Sequence, residues 1–483
     1  MRLTLLVAAG WLAAEWVGFL PALRGLTFLG FAAAVAGVRR PALGLLGVGM
    51  LAVLDPISRH LVMGSGGLLR WNSFNYWLVL FTLMWLPRVW RLSDPHSRLL
   101  RVLIAVLVIG LPFAERWEPG LQTLLNVATV FALVVYAQRA PRDAEAMFWL
   151  GVVMSVTAAA GGFEYYRHVD GLPVMNKNAF SMFPLAGLLG ATIALPFAGA
   201  IRCGQLLLAS LASVDLAWVF LSRSRGALLL GLIAMAFLLI SIRTLPRRVT
   251  SFTAAALLVA GASGHFDALQ ADASRRFGKM LDQRMSLEER TSGRGNLALG
   301  GWRIFTRHPL GVGTGGFEDA WAELEQLDNS TRFAQGKLVP AHSAWVMVLA
   351  ENGLPGVIVF AMFVGSFAVT GMRRRDPTLR RLGIFATVIL MAAFMTTEFQ
   401  SKALWFLAAI VTALLHQQHR WAMPRGYAAA RAGRRPIVRQ RPLVQPVPAH
   451  AAQAAGGHAG GVYAAGGHAA VHPGGPHAAP GHV

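Results

Sequence analysis

Four places in the chain carry side chains able to do chemistry. His342 stands in Pro340-Ala341-His342-Ser343, just ahead of an apolar run. An imidazole with an ordinary pKa of about 6.5 accepts a proton near neutrality, which suits a general base; a hydrogen-bonded structural histidine is the competing reading. Pro340 before it and Gly353 after it predict a helix between them, with His342, Trp345 and Leu349 along one face. Glu351 and Asn352 lie farther along, placed to orient a partner or to cap the helix end. Arg225 lies in Ser222-Arg223-Ser224-Arg225-Gly226, between two apolar runs. Arg223 reads as an anchor whose charged head reaches the membrane boundary. Arg225 opens an expected helix, so its guanidinium and the free helix N-terminus both face an anion, with anchoring as the alternative. From Arg275 to Arg307 bases outnumber acids, and Arg290 and Arg294 belong to that run, after which Glu318 and Asp319 reverse the sign. A solvated helix face, a phosphate site and lipid-headgroup contact all fit this pattern. Lys177, between Asn176 and Asn178, is a further cation for lipid or phosphate, or an interface anchor.

Other chemistries find less support. The chain has neither a His-Glu-x-x-His nor an Asp-x-Asp, and paired-histidine spacing occurs only in the C-terminal tail. Glu323 and Glu325 are two residues apart and do not share a helix face. Gly311-Val-Gly-Thr-Gly-Gly316 has neither Walker spacing nor a preceding strand pattern, and predicts a turn between two helical pieces. One cysteine, Cys203, excludes an internal disulfide. Asp215 sits inside an apolar run, but a proton pathway would usually need a second such acid.

The elements that must position these residues are membrane helices. A chain of 483 residues that is 55% hydrophobic and 14% charged, with a mean hydropathy of +0.50, does not have water as its main solvent. Its net charge of +21 would suggest nucleic acid in a soluble protein; here it reports topology. With roughly 20 residues per crossing, runs begin at 3–22 and continue at 73–87, 99–113, 121–137, 146–161, 178–200, 204–222, 226–243 and 250–264, then at 353–371, 382–397 and 402–416. That predicts about twelve spans, or about fourteen if the weaker runs either side of Arg39 and Arg40 both cross. Short loops rich in arginine, such as those at Arg88 and Arg91 and at Arg373 to Arg375, alternate as cytoplasmic loops. Both termini then face the cytoplasm, and 162–177, 223–225 and 265–341 face outward. The expected organisation is therefore N-terminal spans over 1–264, a large external loop over 265–341, a returning helix and the last spans over 342–416, and a tail over 417–483. From Met423 onward the tail is Ala, Gly, His and Pro with few core-forming residues, which predicts disorder.

The order and spacing of these elements resemble a known family. His342-Ser343, nine residues, then Gly353-Leu-Pro-Gly356 looks like the His-(Asn/Ser/Gln)-x9-Gly-x-x-Gly signature of O-antigen ligases of the WaaL type. Arg307-His-Pro-Leu-Gly-Val-Gly-Thr-Gly-Gly-Phe317 resembles the family's His-Pro-Leu-x-Gly-x-Gly turn, Ser292-Gly-Arg294 the arginine before it, and Ser222-Arg-Ser-Arg225-Gly the short external loop with the other essential arginine. The Arg294 match needs a small shift, which keeps Arg290 as a fallback. The superfamily also holds Wzy-type polymerases and protein O-oligosaccharyltransferases. A second large loop, expected of a typical polymerase, and a soluble domain after the last span, expected of the latter, are both missing from the sequence pattern.

The resemblance implies an all-α, polytopic, GT-C-like glycosyltransferase of the bacterial inner membrane, with one large periplasmic loop containing helices and a periplasmic active site. It implies transfer of O-antigen polysaccharide from undecaprenyl pyrophosphate to a sugar hydroxyl of lipid A-core, with no cofactor, no nucleotide and no required metal. Its partners would be those two glycolipids and membrane lipids, not nucleic acid. In that scheme His342 is the general base, Arg225 and Arg294 stabilise the pyrophosphate, and Lys177, Arg290 and Arg223 contribute to substrate binding. A polymerase of the same superfamily and a non-enzymatic transporter of a lipid-linked sugar are the alternatives; the transporter would need the basic surface but no proton acceptor beside it.

Overall fold

The computed structural model describes residues 21–62, 73–140, 144–167, 177–201, 203–222, 224–241, 294–328, 340–397, 399 and 401–416. Among these residues every regular element is helical. In chain order they are α1 (Pro21–Ala36), α2 (Pro41–Val62), α3 (Ser73–Met84), α4 (Leu86–Trp90), α5 (Pro95–Gly110), α6 (Trp117–Arg139), α7 (Ala144–Arg167) and α8 (Lys177–Ala194). There follow α9 (Gly204–Leu221), α10 (Arg225–Ser241), α11 (Arg294–Arg307), α12 (Phe317–Asp328), α13 (Ala344–Met372), α14 (Pro377–Phe394) and α15 (Lys402–Leu415).

All-helical among the described residues, the chain has the character of a polytopic membrane protein. Six described helices are long and apolar enough to cross a bilayer: Pro95–Phe113, Trp117–Arg139, Ala144–Phe163, Phe180–Gly199, Ala344–Met372 and Pro377–Phe394. Five more apolar helices are shorter, among them Gly204–Phe220 and Lys402–Leu415. Of the predicted spans, 250–264 and all but the end of 3–22 lie outside the described residues, as does the tail from 417. The two weak runs around Arg39 and Arg40 form α1 and α2, an antiparallel pair with both arginines in its turn. Gly37 and Gly44 meet there backbone to backbone, and a Cβ on either would strike the other. The predicted span at 73–87 is interrupted at Trp85, where α3 ends and α4 begins at Pro87's turn.

Helix ends are set locally. Asp94 caps α5 by accepting from the Ser97 N–H at 2.8 Å, and Asp376 caps α14 by accepting from Thr378 N–H at 2.8 Å, each with proline next in sequence. The Arg101 guanidinium donates to the Trp90 and Leu92 carbonyls at 2.8 and 2.7 Å, satisfying acceptors that α4 leaves behind. The centre of the bundle is α15, apolar around its whole circumference and buried along its whole length, packed by α2, α6, α8, α13 and α14. Its first residue, Lys402, is also buried and donates to the Asn126 side-chain carbonyl on α6 at 2.8 Å. Large apolar side chains point outward elsewhere, such as Ile109, Phe113, Leu229, Met362 and Met391, as a bilayer-facing surface requires.

Candidate active site

The Gly311–Gly316 segment is, as its sequence predicts, a turn between two helices, α11 and α12. Its backbone fills a break in α13. Val312 and Gly313 N–H groups donate to the Ala350 and Glu351 carbonyls at 3.0 and 2.9 Å, and Leu354 N–H donates back to the Pro309 carbonyl at 3.1 Å. The break itself is Gly353, with φ 59° and ψ −153°. A Cβ there would strike the Pro309 carbonyl, so the backbone conformation and the close approach of the turn both require glycine. Gly353 therefore ends the helix begun at Ala344, as its sequence predicts, and a second helix follows at once across the kink and runs to Met372. On its other side the turn reaches α5, where Thr314 N–H donates to the Gly110 carbonyl at 3.1 Å.

His342 lies outside the helix that its spacing predicts. It has φ 54°, in the left-handed region, and α13 starts only at Ala344. The expected face shared with Trp345 and Leu349 is therefore not formed; the left-handed residue redirects the chain before Ser343 caps the helix. Ser343 accepts from Val346 N–H at 3.4 Å and donates to the Phe394 carbonyl at 3.2 Å, and Ala344 N–H donates to the Thr397 carbonyl at 2.9 Å. Trp345 Nε1 donates to the Met391 carbonyl at 3.2 Å. The histidine is thus carried on a backbone pinned to the end of α14, while its side chain stays exposed. A non-glycine residue in this region costs about 1 kcal/mol or more and persists where the surroundings over-determine it, often at functional sites.

Arg294 is the first residue of α11, which lies along the start of α13: Gly301 faces Val346, and Gly300 faces the Trp321 ring of α12. That packing brings Arg294 to His342. Partial desolvation, and after it the Arg294 charge, push the His342 pKa below its ordinary value, which favours the unprotonated imidazole. Arg225 is the first residue of α10, as predicted. Gly226 next to it lies against Thr396, one residue before the Thr397 carbonyl that holds Ala344. The structure therefore gathers the start of α10, the start of α11 and the His342 turn around the end of α14. Lys177 begins α8, which packs on α10. Arg223 and Arg290 lie outside the described residues, as does the rest of the predicted basic run before Arg294.

Four described helices start on a basic residue, Lys177, Arg225, Arg294 and Lys402, and none has an acid in its first turn; Lys402 is already taken up by Asn126. A cation at a helix N-terminus adds to the positive end of the helix dipole and is normally disfavoured. An anion placed there would be met by both. Among the described residues no cluster of three or more His, Cys, Asp or Glu is arranged to hold a metal ion.

Sequence reasoning singled out Asn352 but missed Thr314 and Arg116, which also build this end of the bundle. Asn352 Nδ2 donates to Thr314 Oγ1 at 2.8 Å, and Thr314 Oγ1 donates to the Leu107 carbonyl at 2.8 Å, all buried. Arg116, between α5 and α6, grips α12: its Nη2 stands 2.8 Å from Asp319 Oδ1 and its Nε donates to Asp319 Oδ2 at 3.0 Å, with Glu318 at 3.4 Å. The acids that follow the basic run thus meet a cation from another part of the chain. Only the polar residues inside the glycine turn and the lone Arg116 hinted at this.

No curated protein sequence matches the chain. Residues 207–361 match the Wzy_C family model, described as O-antigen ligase. That stretch holds Arg225, Arg294, the glycine turn, His342 and Gly353, and its match supports the O-antigen ligase/polymerase family for this part of the chain.

Proposed function

We propose that this protein is an inverting GT-C-like glycosyltransferase of about twelve spans that moves an O-antigen polysaccharide from undecaprenyl pyrophosphate to a sugar hydroxyl of lipid A-core, at the periplasmic face of the inner membrane. The observation that carries the proposal is that α11 packs along the start of α13, so that the Arg294 charge acts on His342, a cation near a candidate base. His342 takes the proton of the acceptor hydroxyl as its oxygen attacks the anomeric carbon. The bond from that carbon to the pyrophosphate oxygen breaks, and its electron pair leaves with the lipid pyrophosphate. Attack from the face opposite the leaving group inverts the anomeric centre without a covalent sugar-enzyme intermediate. Arg225 and Arg294, each at a helix start, stabilise the negative charge as it develops. Lys177, Arg223 and Arg290 contribute further positive charge to donor binding.

Purified protein mixed with a polyprenyl-pyrophosphate-linked saccharide and lipid A-core tests the reaction. Product without added nucleotide or metal is expected. Polymer growth in the absence of lipid A-core would make the protein a polymerase, and binding of the donor without any product would make it a transporter.

A further inference from the structure

At the end of α6 remote from the Thr314 turn lies a cavity of about 490 Å³ lined by Arg88, Val135, Gln138 and Arg139. The helix places the two ends far apart. Gly120 near its start abuts Thr314, and α6 runs 23 residues to Arg139, about 34 Å at 1.5 Å per residue. That span exceeds the hydrocarbon thickness of about 30 Å, so the cavity sits at the level of the opposite headgroups. The Lys/Arg bias of the loops assigns this end to the cytoplasmic leaflet.

Arg88 and Arg139 share one aromatic support, with their guanidinium carbons 5.3 and 4.2 Å from the Trp85 ring centroid. Arg139 Nη2 donates to the Val38 carbonyl at 2.9 Å, which fixes the group against the turn carrying Arg39 and Arg40. Its Nη1 and the Trp85 Nε1 are buried donors with no acceptor among the described residues. Among the described residues neither arginine forms an ion pair there, and none of the cavity's lining residues is a carboxylate. Other arginines of the bundle are spent differently: Arg101 on backbone carbonyls and Arg116 on two acids. Two like charges held on one indole with donors to spare call for an anion. The flanking surface is apolar, with Leu83, Leu86 and Trp90 all exposed. The ligand is therefore charged at one end and greasy at the other.

We infer that the Arg88–Arg139 cavity binds the phosphodiester headgroup of an anionic membrane lipid, whose acyl chains lie on the α3–α4 surface. Basic pockets between membrane helices on the cytoplasmic side recognise lipid headgroups in this way. The binding is independent of the transfer reaction at the other end of the bundle.

Native mass spectrometry of the purified full chain, with thermal melting in parallel, tests this with three probes: phosphatidylglycerol, phosphatidylcholine and inorganic phosphate. Phosphatidylglycerol should be retained and raise the melting temperature, and phosphatidylcholine should do neither. Arg88 is exposed and makes no side-chain hydrogen bond among the described residues, so Arg88→Gln should fold normally and weaken phosphatidylglycerol binding about fivefold, with Arg88→Glu weaker still. Equal melting of Arg88→Gln and parent in phosphatidylcholine checks the fold. Protection by inorganic phosphate as strong as that by phosphatidylglycerol would overturn the lipid assignment. Equal retention of the two lipids, or unchanged phosphatidylglycerol binding in both variants, would overturn the site.

Discussion

The Asn352 amide donates to the Thr314 hydroxyl at 2.8 Å, joining the break in α13 to the glycine turn. Thr314 passes the connection on to α5 through the Leu107 carbonyl. Three segments distant in sequence are locked by one buried hydroxyl. Thr314→Val keeps the volume but leaves the Asn352 amide and the Leu107 carbonyl without it. Leaving buried polar groups unpaired costs about 1–3 kcal/mol. A lower melting temperature and lower transfer activity are expected, with Thr314→Ser close to the parent in both. A Thr314→Val variant that melts with the parent would remove this hydroxyl from the stabilising contacts.

Gly353→Ala meets two obstacles at once, a backbone in the left-handed region and the Pro309 carbonyl where the Cβ would go. The turn should be driven off α13. Loss of expression as folded protein, or a melting temperature well below that of Gly365→Ala, is the expected outcome. Gly365 makes a useful comparison because it lies in the continuing helix, without a positive φ and with open space where a Cβ would go.

His342→Asn separates chemistry from backbone. Asparagine tolerates the left-handed conformation that His342 adopts, yet it cannot act as a base. Transfer should fall about 100 to 10,000-fold while the melting curve stays near that of the parent. Ligation by the purified variant at close to the parental rate would show that another group takes the proton.

The pH dependence follows from the neighbours of His342. The base works as neutral imidazole, and partial desolvation together with the Arg294 charge lowers its pKa. The acid limb of kcat/KM should therefore lie below the ordinary histidine value of about 6.5. Arg294→Gln removes one of the two lowering influences, so the limb should move to higher pH, in addition to an overall loss of rate. Profiles of parent and variant with the limb at the same pH would detach Arg294 from His342.

Arg225→Lys keeps the charge at the start of α10 and loses the planar fork. If two phosphoryl oxygens are held at once, kcat should remain depressed even though the cation is retained. Parental kcat in Arg225→Lys would make this residue a membrane anchor.

Much of the site was legible because its parts are written in contiguous residues. Apolar runs specify helices, Pro and Asp specify where several of them start, and Arg225 and Arg294 prove to open α10 and α11. His342 was identifiable by type and by its place ahead of an apolar run, but its backbone was not. Pro340 and Gly353 suggested one regular helix containing it, whereas the contacts of Ser343 and Ala344 with the end of α14 hold His342 outside that helix. No local pattern could report those contacts.

The sequence by itself determined the solvent, the helical class and the residue types available for proton and phosphate chemistry, since hydropathy and capping act over a few turns of chain. The tertiary structure alone decided which of them meet. Arg116 finds Asp319 across 203 positions, Asn352 finds Thr314 across 38, and Arg294 comes to bear on His342 because α11 lies along α13. Such pairings depend on helices packing face to face. Their energies come from burial and charge at separations in space that sequence spacing does not encode.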